Sequence, residues 1–249
     1  MVAAVVNLRP GLWLSSAISL NSPEETRASK LTRTSGYRFS EDLDFTLARK
    51  VEFAEIREGL EDVYALVAQA SGIRFSFEAE DREMHVNSYT FYLRYQGPLP
   101  TSNTVKVDIT VSEILVFPVE QPPVLRTYPE FEDVPEDRPI AVYSLNEIAT
   151  EKIVALQDKA RNEPRDLYDL WFLTSHAGVD IGPLIRAVTE KIRFREKGST
   201  GIEDRILAKE ARLNALWNGR LGHQMEALPQ YDEVFRTVRR ELRQAAFPK

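Results

Sequence analysis

The sequence predicts an α+β chain with strands and one long helix in residues 1–140, followed by a helical region over 141–249. Three observations carry this. Residues 73–78, 84–95 and 104–112 alternate apolar and polar side chains, the period of a half-buried strand. Phe53, Ile56, Leu60, Val63, Tyr64 and Val67 recur at three- and four-residue intervals, the period of an amphipathic helix. From Ser144 onward only helical patterns remain.

Residues 1–37 are the least readable part. Pro10-Gly11, Asn21-Ser22-Pro23 and Thr34-Ser35-Gly36 are turn signals, and residues 24–31 fit a short helix with Ser22 as cap and Pro23 at its first position. Residues 1–20 are mildly apolar but lack a basic leader and are interrupted by Arg9-Pro10. No secretory signal is expected, and the cytoplasm is the expected compartment. The next segment, residues 38–45, reads Arg-Phe-Ser-Glu-Asp-Leu-Asp-Phe. As a strand it projects Asp42 and Asp44 to one side and Leu43 and Phe45 to the other. The helix over 53–67 closes at Ser71-Gly72. In the last strand, Val105, Val107, Ile109 and Val111 form one face, and Lys106, Asp108 and Thr110 the other.

Residues 118–139, rich in Pro and acids, read as an irregular loop or edge. Ser144-Leu-Asn-Glu147 is a capping-box pattern that starts a helix running to about Lys159. Its buried stripe is set either by Ile148, Ala155 and Leu156 or by Ala149, Ile153 and Leu156, and Lys152 falls on or beside it in both cases. Buried lysines are costly unless paired or used. Pro164 starts a helix over 165–173 in which Leu167, Leu170 and Trp171 pack inward and Asp166 and Asp169 share a flank. Residues 183–197, 203–217 and 230–246 read as further helices.

At 249 residues, 43% apolar and 28% charged, the chain has the makeup of a water-soluble protein with a substantial core. No apolar run approaches the roughly 20 residues that span a bilayer. The absence of Cys excludes disulfides and thiolate zinc sites. His85, His176 and His223 lie far apart and are expected to be structural or surface residues. Net charge is −6, but residues 182–249 hold 14 Lys and Arg against 9 Asp and Glu. An acidic body with a basic tail suits an enzyme that holds metal and acts on a polyanion, although solvated helices show similar excesses.

Two acids on one strand face repel unless a cation sits between them, and a hard ion such as Mg²⁺ takes such oxygen ligands. If the strands carrying Asp42, Asp44 and Asp108 are neighbours, three carboxylates converge on one sheet face. With Lys152 to neutralise phosphate charge and Ser40 to donate a hydroxyl, this set fits metal-assisted attack on a nucleoside triphosphate. There is no Walker-type Gly-rich loop.

Four segments in order, residues 38–45, Val105-Lys-Val-Asp-Ile109, residues 147–156 (Glu-Ile-Ala-Thr-Glu-Lys-Ile-Val-Ala-Leu) and residues 165–173 (Arg-Asp-Leu-Tyr-Asp-Leu-Trp-Phe-Leu), resemble the signature of the AbiEii/AbiGii toxin family. The likeness spans about residues 36–175. It implies a polymerase-β-like nucleotidyltransferase core, a mixed sheet with helices on one face, and a toxin paired with a cognate antitoxin. Some members of that family transfer nucleotides from NTP to tRNA 3′ ends. By the same resemblance Asp42 and Asp44 would be ligands for Mg²⁺ or Mn²⁺, with Asp108 the third carboxylate or the base. Lys152 would hold the triphosphate, Asp166 would be the acid of the last motif, and Asp169 would be more structural. One segment departs from the pattern. Where the family carries a Gly-Gly-Ser/Thr turn, residues 25–31 read Glu-Thr-Arg-Ala-Ser-Lys-Leu, which does not readily copy glycine's close approach to phosphate unless side chains of Arg27, Ser29 or Lys30 substitute for it. Two other readings therefore stay open: a catalytically silent binding protein, and a nucleotidyltransferase for a small molecule.

Overall fold

A computed structural model of the chain describes residues 2–9, 12–18, 43–47, 51–80, 88–96, 101–122, 141–195, 197–198, 200–225 and 227–247. The expected helix over 24–31, the 25–31 segment, Ser40 and Asp42 lie outside the described residues. The chain divides into two units, and each is considered by itself.

The first unit holds all the strands among the described residues. β3 (Leu43–Thr46), β6 (Ser102–Thr110), β5 (Ser88–Gln96) and β4 (Arg74–Glu80) form a four-stranded sheet in the order β3-β6-β5-β4. β3 and β6 run parallel, whereas β6-β5 and β5-β4 are antiparallel, so the sheet is mixed. A second sheet joins β1 (Val2–Arg9), β2 (Leu12–Ile18) and β7 (Ala141–Val142) in the order β2-β1-β7. The antiparallel pairing of β1 and β2 was not expected: Val-Ala-Ala-Val-Val in β1 has no alternation from which a strand could be read.

α1 (Phe53–Ser71) follows β3 and ends at Gly72, whose φ of 72° is the left-handed closing conformation that glycine adopts without strain. Its apolar stripe covers one face of the mixed sheet. Leu47, Val51, Ile56, Phe91, Leu93, Val107, Ile109 and Val111 are buried there, with Phe45, Phe53, Leu60 and Tyr64 packed around them. Aromatic rings thicken this layer: the Phe53 centroid lies 5.8 Å from that of Phe91 and 5.1 Å from that of Tyr89. Burying Val107 and Ile109 against this layer fixes the register of β6 and thereby commits Lys106 and Asp108 to the opposite face.

The second unit is helical, with α2 (Leu145–Gln157), α3 (Pro164–Ser175), α4 (Ile185–Phe194), α5 (Ile202–Leu207), α6 (Glu210–Leu221) and α7 (Tyr231–Ala245). Of the two stripes weighed for α2, Ala149, Ile153 and Leu156 are buried throughout, whereas in the other Ala155 is only half-buried beside the buried Ile148 and Leu156. The single helix expected over 203–217 is two helices, because the chain turns at Ala208-Lys209. There the Lys209 amine leaves the helical pattern and donates to the carbonyls of Asp158 and Arg161. No described helix is long and apolar enough to cross a membrane.

Candidate active site

The register of β3 against β6 decides which acids meet. Leu43 pairs with Val107, Asp44 with Asp108 and Phe45 with Ile109. Residues paired across parallel strands share a face, so Asp44 and Asp108 lie side by side about 5 Å apart, the spacing of neighbouring strands. Both are half-buried. Across β5, Thr90 pairs with Asp108, and its hydroxyl donates to Asp108 Oδ1 at 2.5 Å. Two residues before Asp108 on the same face, Lys106 Nζ donates to Oδ2 at 2.6 Å. Two residues beyond Asp44, Thr46 is buried beneath Tyr143, with 2.5 Å between the Tyr143 hydroxyl and Thr46 Oγ1. One end of the acidic pair is thus closed by a buried hydroxyl pair rather than left to solvent.

This donor set fits a hard divalent cation. Carboxylates paired across adjacent strands can reach a common point, and each has about four lone-pair sites, so Asp108 keeps coordinating capacity beside Thr90 and Lys106. Lys106 is 36% exposed at its side chain, and a pair that wet is worth little and is readily displaced. Among the described residues no group of three acids or histidines gathers as a metal site.

In the helical unit, Lys152 is buried between two aspartates of the next helix. Its Nζ is 2.7 Å from Asp169 Oδ2 and 3.2 Å from Asp166 Oδ1. Pro164 at the start of α3 sets the turn from which Asp166 and Asp169, three residues apart, reach the same amine. Arg161 clamps Asp166 from the other side, Nε to Oδ2 at 2.6 Å and Nη2 to Oδ1 at 3.3 Å. Lys152 and Arg161 balance Asp166 and Asp169 in charge, and the nearby Lys209 amine also acts on Asp166. Burial alone would raise the Asp166 carboxyl, but the attraction of Lys152 and Arg161 outweighs it and holds the group below the usual carboxylate range.

A second buried set was missed by sequence reasoning. Lys191 on α4, fully buried, bridges Glu147 Oε1 at 2.7 Å and Glu151 Oε1 at 2.6 Å and donates to the Ile114 carbonyl at 2.5 Å. Arg195 completes it, 2.7 Å from Glu151 Oε2. The capping box is only half formed. Ser144 Oγ accepts from the Glu147 amide, but the Glu147 carboxylate turns away to accept from the Val116 and Phe117 amides at 3.1 and 2.9 Å. For Glu151 burial would again raise the carboxyl, and the charges of Lys191 and Arg195 reverse that and hold it low.

The two depressed carboxyls make stability pH-dependent. A carboxyl whose folded pKa is lowered contributes stability above its unfolded value, about 4, and loses it as pH falls through the folded value. The urea midpoint should therefore stay level from neutrality to about pH 4.5 and fall steeply below about pH 4. A midpoint indifferent to pH across that acid range would contradict this reading of Asp166 and Glu151.

The model of the nucleotidyl transferase AbiEii toxin family, of type IV toxin–antitoxin systems, matches residues 29–241. The chain belongs to this family. No curated protein sequence matches it. Among solved structures it is similar to MenT4, a nucleotidyltransferase toxin from Mycobacterium tuberculosis, at 18% identity and a TM-score of 0.52, over 84% of this chain and 68% of that one. That likeness supports the α+β fold with its mixed sheet and helical C-terminal region. The AbiEii family is one of nucleotidyltransferase toxins of toxin–antitoxin systems, and membership implies a nucleotide substrate and an antitoxin partner.

Set against the AbiEii resemblance, the structure pairs Asp44 with Asp108 in one unit and gathers Lys152, Asp166 and Asp169 in the other. Asp169, expected to be more structural, makes the shorter contact with Lys152. The roles of Thr90 and Arg161 had no signal in the sequence, because each depends on a pairing that only the fold supplies. Lys106 was visible on the face of Asp108 but not as its partner. His176 is packed between rings, 4.8 Å from Trp171 and 5.0 Å from Phe172 by centroid, as a structural histidine would be.

Proposed function

We propose that the chain is a metal-dependent toxin that transfers nucleotides from an NTP to RNA, with the 3′ end of tRNA as the acceptor, and that it works in the cytoplasm beside a cognate antitoxin. The observation that carries this is the register pairing of Asp44 with Asp108 on one sheet face. These two carboxylates would hold Mg²⁺ or Mn²⁺, and Asp42 would complete the set. When bound, the cation supplies charge neutralisation at the phosphate oxygens and makes the acceptor hydroxyl more acidic.

In the transfer, the acceptor's ribose oxygen bonds to the α-phosphorus as the bond from that phosphorus to the β-phosphate oxygen breaks. Pyrophosphate leaves with the electron pair, and the hydroxyl proton passes to a carboxylate, a role Asp108 would take as base. Thr90 and Lys106, by donating to the two Asp108 oxygens, fix the plane of that carboxylate before substrate arrives. Ser40 and Lys152 would contact the triphosphate, with Asp166 orienting the lysine through its ion pair.

Incubating the purified chain with Mg²⁺ or Mn²⁺, each labelled NTP in turn and total tRNA should place label on RNA. No label on RNA with any nucleotide would overturn the proposal. The departure at residues 25–31 makes a silent binding protein the reading favoured by that result, and label on a small hydroxylated acceptor instead would favour the small-molecule transferase.

A further inference from the structure

α7 buries one side and arms the other. Tyr231, Val234, Phe235, Val238 and Leu242 are inside, whereas Arg236, Arg240 and Arg243 are exposed and Arg239 is half-buried. Positions 236, 239, 240 and 243 are separated by three and four residues, so the four guanidinium groups form one stripe along the helix. From 236 to 245 only Glu241 opposes them in charge.

The acids of this helix stand mainly in its first turn, where Asp232 and Glu233 precede Arg236 by four and three residues, and from Arg236 on the stripe itself carries only arginine. The stripe is also at odds with the chain as a whole, whose net charge is −6. Its existing pairs are weak. Arg240 reaches its neighbour Glu241 at 2.8 Å and Arg243 reaches Glu203 at 3.4 Å, both from exposed positions. Arg236 has no ion-pair partner among the described residues. Arg239 goes further: its Nε is shielded from water and has no acceptor among the described residues.

We propose that this arginine stripe of α7 is the surface that holds the phosphate backbone of the acceptor RNA, an inference that rests on the RNA reading above. Arg236 to Arg240 and Arg239 to Arg243 each advance about 6 Å along the axis, a step comparable to that between successive phosphates of one strand. The guanidinium fork matches phosphate oxygens two at a time. A protein partner would be expected to find an apolar or aromatic centre here. None of the large exposed apolar side chains, Leu66, Val119 and Phe194, lies on α7. The stripe therefore offers charge without an apolar anchor, which suits a polyanion read by its backbone.

The test is binding of the full chain to fluorescent total tRNA at a series of KCl concentrations. It compares the parent, the triple variant R236Q/R240Q/R243Q, and a control, K159Q/R186Q/R193Q, that removes the same charge from exposed positions elsewhere in the helical unit. Arg239 is left in place because its half-buried stem contributes to packing, and equal melting temperatures verify that the variants are folded. The α7 variant should bind at least about tenfold more weakly, with the slope of log affinity against log salt reduced by about 2 to 3, while the control stays near the parent. Equal affinity and slope in the parent and the α7 variant, or an equal loss in the control, would overturn the assignment. If the α7 variant keeps tRNA binding but loses binding to poly-L-glutamate, the stripe serves an acidic polypeptide and the RNA assignment fails. Should the parent transfer nucleotides to tRNA while the α7 variant binds it unchanged, only this surface is refuted. Should the parent not bind tRNA at all, the RNA reading falls and this surface with it.

Discussion

Asp44→Asn and Asp108→Asn should each lower nucleotide transfer by at least about 10²-fold, because each removes a charged oxygen donor from the point where a divalent cation would sit. The fold should survive both changes. Asp108 meets Thr90 through a hydroxyl donor and Lys106 through a half-exposed amine. An amide oxygen still accepts from Thr90, and the loss of so wet an ion pair costs less than about 1 kcal/mol. Activity and stability should therefore separate: transfer collapses and the urea midpoint hardly moves. A variant that melts far earlier than the parent would mean that the pair is structural. A variant that transfers normally would mean that it is not the catalytic site.

Lys152→Met should destabilise the protein by about 3–5 kcal/mol, the cost of leaving buried charge without its partner. Lys152, Asp166 and Asp169 are all buried, and removing the amine takes from both carboxylates the cation they share. Adding Asp169→Asn restores the charge balance, so the double variant should regain much of the lost midpoint. That recovery separates two roles that a single substitution confounds. If Lys152 also holds triphosphate, the stabilised double variant remains inactive. If its role is packing alone, activity returns with the fold. Parent-like stability in Lys152→Met would contradict the buried cluster itself.

The parts of this molecule that were legible in the sequence are those governed by local period and by local turn chemistry. The α1 stripe from Phe53 to Val67 with Gly72 as its stop, the alternation of β6, and Pro164 at the head of α3 each specify an element without reference to the rest of the chain. The placement of Asp108 opposite the apolar face of β6 followed from that alternation. Its pairing with Asp44 depended on strand order and register, and these are set by the common packing of Phe45, Val107 and Ile109 under α1. The hairpin of β1 and β2 was hidden because its apolar residues run together rather than alternate. The charge network of Glu147, Glu151, Lys191 and Arg195 was hidden for a different reason. Glu147 carries the local signature of a capping box, yet a buried lysine 44 positions away and two backbone amides of residues 116 and 117 draw its carboxylate off the cap. Long-range electrostatics overrode a local preference, and nothing within a helical window reports that.

The site rests on the pairing of β3 with β6, since that register alone sets Asp44 beside Asp108. Crystals of the protein grown with Mn²⁺ and a non-hydrolysable NTP test it most directly through the anomalous signal of the metal. The expected result is a peak about 2.1 Å from carboxylate oxygens of both Asp44 and Asp108, with triphosphate oxygens completing its shell. Metal bound elsewhere while these two carboxylates keep only their protein partners would contradict it.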